Sequence, residues 1–311
     1  MNHSNKREPL VVVQHVQKKF GKNTAVSDVS FEVYGGEVFG LLGPNGAGKT
    51  TTIRLLLDIF KPDAGQVSVL GGPMTPQRAD RIGYMPEERG LYPDMRVLDC
   101  LVYLGTLKGL GRKEARESAR RYLVRLGLGD QERTKISALS RGMTQKVQVI
   151  AAVLHSPDLL IIDEPFANLD PINSELVRQI ILELRQQGKA IIMTSHLMAL
   201  VESLCDRIAL IHQGTVVLAG TVAEVRRKFA RNVLRLTGTG VLDTAVDGVT
   251  QIVRHTASDW EIFIEADTEP RAVLARLLAE HDDRFLVDRF EIAMPSLNEI
   301  FVQVVQQPEV T

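Results

Sequence analysis

The segment GPNGAGKTT, Gly43 to Thr51, follows directly on the apolar run Val38-Phe-Gly-Leu-Leu42. A buried strand that feeds a glycine-rich turn closed by Lys-Thr is a phosphate cradle. The glycines at 43, 46 and 48 let the backbone wrap closely, so that its N–H groups converge on anionic oxygens. Lys49 adds a point charge for the β- and γ-phosphates, and Thr50 offers a hydroxyl to Mg²⁺. A helix starting near Gly48 contributes the positive end of its dipole. Gly43, Pro44, Asn45, Gly46, Ala47, Gly48, Lys49, Thr50 and Thr51 are therefore the expected binding loop for the phosphates of a nucleotide such as ATP.

A second apolar run, Leu159-Leu-Ile-Ile162, ends in Asp163-Glu164-Pro165. In an open α/β sheet, ligands gather at the carboxyl ends of the strands. Asp163 is thus expected to hold Mg²⁺ beside Thr50, and Glu164 to poise the attacking water as general base. Together the two runs read as a P-loop ATPase site.

Around these motifs, further short apolar runs alternate with helical pattern (140–155, 173–187, 197–204), as expected for a parallel sheet covered on both faces. Residues 10–13, 29–33 and 66–70 read as strands, 49–60 as a helix, and 97–126 as helix broken at Gly109 and Gly111. The first domain is expected over 1–230, with a helical subdomain at about 90–155. From 231 to 311 the order is strand 233–237, short helix 241–247, strands 251–255 and 260–265, helix 270–281 and strand 284–292. A last helix follows Pro295. That is the βαββαβ order of a small α+β, ferredoxin-like domain.

Charge separates the same two regions. Residues 231–311 hold seven Arg, no Lys and fourteen acidic residues, against a net charge of −1 for the whole chain. An acidic accessory domain disfavours nucleic acid as a partner. No apolar run is long enough to span a bilayer. The polar opening MNHSNKREP does not read as a signal peptide, and Cys100 and Cys205 stand far apart. The expectation is a cytoplasmic protein.

Beyond the two phosphate-site motifs, Leu139-Ser-Arg-Gly-Met143 resembles the signature motif of ABC ATPases. Asn168-Leu-Asp170 resembles their D-loop and Thr194-Ser-His196 their switch histidine. Phe20 stands where that family places an adenine-stacking aromatic, with Val26 nearby. The resemblance implies an ABC ATPase fold that works as a head-to-tail dimer. Ser140, Arg141, Gly142 and Met143 of one copy would then serve ATP held by the other, with Asp170 linking the two sites. His196 would hold the γ-phosphate and the attacking water. A homodimer is the simplest form of this.

Three positions depart from the family pattern. Glu87 replaces the usual glutamine and is expected to lend an oxygen to Mg²⁺, while Arg141 and Met143 replace a glycine and a glutamine. Pro86-Glu-Glu-Arg-Gly-Leu-Tyr-Pro93, LSRGM and the ending Pro295-Ser-Leu-Asn-Glu-Ile-Phe301 together resemble the ATPase subunits of bacterial ABC-2-type exporters, similar to sodium-extrusion and drug-resistance systems. In these the permease is a separate chain, so the protein is expected at the inner face of the cell membrane. Arg112 to Arg125, with five Arg and one Lys against two Glu, reads either as a solvated face or as a docking surface. The competing reading is a soluble ABC-type ATPase acting on ribosomes or DNA.

Overall fold

The computed structural model describes residues 8–87, 90–229, 233–240, 247–265, 268–281 and 285–306. The chain opens with β1 (Pro9–Phe20) and β2 (Asn23–Tyr34), an antiparallel hairpin turned at Gly21, where φ is +60°. Both strands alternate buried and exposed positions, as half-covered antiparallel strands do. β3 (Val38–Leu42) is buried at every position and leads into α1 (Lys49–Leu56). This helix is shorter than the 49–60 expected. Asp58 takes φ of +59° and the Ile59 and Phe60 amides both turn back to the Arg54 carbonyl, which ends the helix before Pro62 acts.

β4 (Ala64–Val69) returns to pair antiparallel with β1, followed by α2 (Pro76–Ala79) and β5 (Ile82–Met85). Three helices come next: α3 (Val97–Leu107), α4 (Arg112–Arg125) and α5 (Arg141–Val153). The chain then alternates through β6 (Leu159–Asp163), α6 (Pro171–Gln186), β7 (Ala190–Thr194), α7 (Met198–Leu204), β8 (Arg207–His212) and β9 (Thr215–Thr221).

Among the described residues these strands form one nine-stranded sheet, ordered β4-β1-β2-β9-β8-β3-β7-β6-β5. Only one side of it is parallel, as the continuous apolar runs predict: β8, β3, β7, β6 and the edge strand β5. The remainder is antiparallel apart from a parallel bridge between β2 and β9, because tight hairpins connect β1 to β2 and β8 to β9. The sheet is therefore mixed rather than wholly parallel. Its parallel part sends β3, β6 and β7 to the same edge, where their carboxyl ends meet.

The chain divides into two compact units, one reaching to Val222 and taking up the chain again from Val304, the other spanning Ala223–Gln303. The division falls ahead of residue 230, because α8 (Val222–Lys228) belongs mostly with the second unit. There the Arg226 guanidinium donates to the carbonyl oxygens of Met294 and Pro295. That unit continues through β10 (Val233–Gly240), β11 (Val249–Arg254), β12 (Asp259–Ile264), α9 (Pro270–His281), β13 (Phe285–Ile292) and α10 (Leu297–Gln306). Its antiparallel sheet runs β11-β12-β10-β13, the strand order of a ferredoxin-like domain. Leu234, Leu236, Trp260 and Ile262 pack against Val273 and Leu277 of α9 to form its core. Residues 241–246 of the expected short helix lie outside the described residues.

Candidate functional site

The phosphate loop leaves β3 at Gly43, where φ is +149°, and a Cβ there would stand 2.2 Å from the Ile211 carbonyl oxygen. At Gly48 φ is +108° and a Cβ would stand 2.5 Å from the Ala25 oxygen. No side chain fits either place, so the loop lies directly against β8 and β2. The turn between β8 and β9 braces it: Gly214 N–H donates to the Ala47 oxygen at 3.0 Å, and Ser27 N–H donates to the Gly214 oxygen at 2.7 Å. Lys49 Nζ lies inside the curl, donating to the carbonyl oxygens of Gly43 at 2.7 Å and Pro44 at 3.0 Å. Burial pulls its pKa down, while Asp163, Glu164 and Glu87 act in the opposite sense.

Register brings the acidic pair to this loop. Asp163, the last residue of β6, pairs with Thr194, the last of β7. The Thr194 hydroxyl donates to Asp163 Oδ1, whereas Asp163 Oδ2 is buried with no hydrogen-bond partner. An orphaned carboxylate oxygen at a ligand-binding sheet edge suits a hard divalent cation, so the donor set of Asp163 and Thr50 fits Mg²⁺. Glu164 follows with φ of +50°, and its Oε1 lies 2.9 Å from His196 Nδ1. Burial pushes the Glu164 pKa up, and the hydrogen bond and charge of His196 partly offset the rise.

These groups share a cavity of about 640 Å³. Of the residues expected from sequence, it is lined by Phe20, Asn45, Gly46, Gly48, Lys49, Thr50, Thr51, Glu87, Asp163, Glu164 and His196. Phe20 is 42% exposed at one end, its ring set edge-on to Phe60 at 5.1 Å. Gly43, Pro44 and Ala47 shape the loop from behind. Val26 differs from expectation: it is fully buried in the core beneath Gly48, and Asn23, Thr24 and Ala25 form that wall instead.

The signature residues do not line this cavity. Ser140 caps α5, accepting from Met143 N–H at 3.3 Å. Gly142 lies so close to the D-loop that a Cβ would be 2.9 Å from the Asn168 oxygen. Asp170 caps α6, and the Asn173 amide at 2.9 Å holds its carboxyl below the usual range. Arg141 borders a neighbouring cavity of about 600 Å³, which Glu87 also lines.

The sequence names Thr194 only as the start of the Thr194-Ser-His196 motif, with no role of its own, and does not single out Gln145, whose Nε2 donates to the Glu164 carbonyl oxygen at 2.9 Å. Thr194 had a signal, as the polar terminus of an apolar run beside His196. Gln145 had none, since only the fold brings α5 to the end of β6.

Residues 26–167 match the ABC transporter family model. An ABC transporter ATP-binding protein of Bacillus subtilis (strain 168), named YhaQ and described as uncharacterized, is 37% identical over 298 residues, covering 95% of this chain and 98% of the relative. The chain belongs to the ATP-binding subunits of ABC transporters. It carries the family's ATPase fold and nucleotide site. Residues 220–305 match the C-terminal domain of DrrA1-3-like ATP-binding proteins. The linearmycin resistance ATP-binding protein LnrL of B. subtilis (strain 168) is 32% identical, covering 95% of this chain and 98% of its own. The Nod factor export ATP-binding protein I of Burkholderia lata is 34% identical, with coverage of 88% and 91%. A solved ATP-binding subunit of an ABC transporter superposes with a TM-score of 0.67 at 31% identity, covering 71% of this chain and 93% of that one. ATP-binding subunits of this kind act with a separate membrane permease. Among the described residues here, no helix is long and apolar enough to cross a membrane.

Proposed function

We propose that this chain is the ATP-hydrolysing subunit of an ABC exporter whose permease is a separate ABC-2-type membrane protein. The observation that carries the chemistry is the division between two successive carboxylates. Asp163 keeps a buried, unpartnered oxygen beside the phosphate loop, while Glu164 meets His196 in the same cavity. The exporter reading is supported by relatives named for linearmycin resistance and Nod factor export, which align through the accessory domain as well as the ATPase.

In this reading Phe20 stacks on adenine and the loop amides with Lys49 Nζ receive the phosphates. Thr50, Asp163 and Glu87 hold Mg²⁺, which when bound neutralises phosphate charge. Glu164 accepts the proton of the attacking water, and His196 keeps that water and the γ-phosphate in line. Two copies of the chain associate head to tail, so that Ser140, Gly142 and the first turn of α5 cap the partner's ATP with the positive end of the helix. Asp170 links the two sites. The assembly sits on the cytoplasmic face of the membrane through the permease, with no nucleic acid involved.

The test uses a tagged Glu164→Gln variant, in which ATP-bound pairs accumulate. It is purified with Mg-ATP from detergent-solubilised membranes of its host, and the co-purifying proteins are identified by mass spectrometry. A multi-span permease in stoichiometric amount is the expected result. Recovery only with ribosomes or nucleic acid would overturn the transport reading and leave the ATPase standing.

A further inference from the structure

Glu164 adopts φ of +50°, a left-handed conformation that residues with a Cβ rarely take. It directly follows β6, so this one dihedral decides where its carboxylate leaves the strand. Two side chains from different elements hold the backbone there. Thr194 Oγ1, at the end of β7, accepts from Glu164 N–H at 3.1 Å, and Gln145 Nε2, on α5, donates to the Glu164 carbonyl oxygen at 2.9 Å. Thr194 is fully buried and Gln145 is 7% exposed, so water does not readily replace either bond.

A hydroxyl carries a single proton. Thr194 gives that proton to Asp163 Oδ1, and must therefore meet Glu164 N–H with a lone pair. One hydroxyl thus orders two successive carboxylates. Asp163 has Oδ1 engaged and Oδ2 as its free oxygen, while the Glu164 carboxylate meets His196.

We propose that Thr194 and Gln145 are positioning residues that clamp Glu164 in its left-handed conformation and so separate metal holding by Asp163 from base catalysis by Glu164. The inference rests on the roles assigned to those two carboxylates above. It also gives α5 a route into the chemistry. Gln145 lies on the helix capped by Ser140, so a partner docking at the start of α5 acts on the Glu164 carbonyl through Gln145.

The test compares the full chain with Thr194→Val, Thr194→Ser and Gln145→Leu. Valine keeps the shape of threonine without its hydroxyl, and serine keeps the hydroxyl. ATP turnover is measured alongside titration of a fluorescent ATP analogue at increasing Mg²⁺. In Thr194→Val, kcat falls about tenfold or more with KM little changed, in keeping with the scale of general-base catalysis. The Mg²⁺ needed to tighten nucleotide binding rises about tenfold, the scale of a lost partner behind a metal ligand. Thr194→Ser retains both properties. Gln145→Leu lowers kcat without shifting the Mg²⁺ dependence, because Gln145 touches Glu164 and not Asp163.

Wild-type turnover in Thr194→Val overturns the clamp, as does equal loss in the serine and valine variants or a Mg²⁺ shift in Gln145→Leu. If Thr194→Val does not fold, the serine and Gln145 variants decide on the same criteria. Glu164→Gln is run in parallel. Wild-type turnover in that variant removes the base assignment, while the Mg²⁺ titrations still judge the hold on Asp163.

Discussion

His196 Nδ1 lies 2.9 Å from Glu164 Oε1, with the imidazole 72% exposed and the carboxylate 14%. The pair therefore joins a buried base to a group that still reaches out of the cavity. Burial raises the Glu164 pKa and His196 lowers it again. A base must be deprotonated to act, so the acidic limb of the ATPase profile should lie above the ordinary glutamate value. In His196→Ala the opposing contribution is lost and that limb moves to still higher pH. A kcat profile from pH 5 to 9 checks this, and an unmoved or lowered limb in the variant counts against the pairing.

The same shift has a consequence for stability. A carboxyl whose folded pKa is raised favours the fold when protonated, and that advantage is lost as pH rises through the folded value. Glu164→Gln should accordingly melt higher than the wild type at pH 8, with the gap closing as pH falls towards the ordinary glutamate range. A constant gap at every pH would assign it to packing instead.

Phe20 is exposed, and its ring leans on Phe60 rather than on a packed core. Phe20→Ala should therefore leave the unfolding midpoint nearly unchanged. Loss of a base-stacking aromatic should weaken ATP binding by about 5- to 100-fold. Phe20→Trp should bind at least as well as the wild type. Equal affinity in all three proteins, by titration with a fluorescent nucleotide, removes Phe20 from the site.

What the sequence made legible here was whatever local order encodes. β3 with its loop and β6 with its acidic pair announce themselves, because buried parallel strands are continuous apolar runs and phosphate loops need glycine at fixed spacing. The hairpin of β8 and β9 was not assigned, although Gln213 and Gly214 both take positive φ, +48° and +77°, as tight hairpin turns do. The family resemblance puts Val26 at the site beside Phe20, yet the strand directs it into the core. Gln145 was out of reach, since its bond to Glu164 joins the signature helix to a strand end that only folding brings beside it.

Two glycines of the loop make different demands. At Gly43 a methyl group would meet the Ile211 backbone oxygen at 2.2 Å, and a backbone oxygen cannot rotate away. Gly43→Ala should cost about 2 kcal/mol or more and abolish nucleotide binding. At Gly46 φ is +78° but nothing stands within 4 Å of the added carbon. Gly46→Ala should cost only about 1 kcal/mol, the price of the dihedral. Urea unfolding of both variants tests the ranking, and equal midpoints would contradict it.

His155 is half-buried, in surroundings that disfavour its charged form. Its Nε2 lies 3.3 Å from the Ile82 carbonyl oxygen and its Nδ1 has no partner among the described residues. Burial first, and then the nearby Lys108 cation, push its pKa down to about 4. A histidine with a depressed folded pKa contributes stability that is complete above its unfolded value near 6.5. That stability is lost as pH falls from there through about 4. The full loss is on the order of 3 kcal/mol. His155→Gln removes the titration, so urea midpoints of the wild type and variant should converge between pH 7.5 and 4.5 as the wild type gives up its advantage. Parallel curves across that range would mean that His155 titrates in the fold as it does in the unfolded chain.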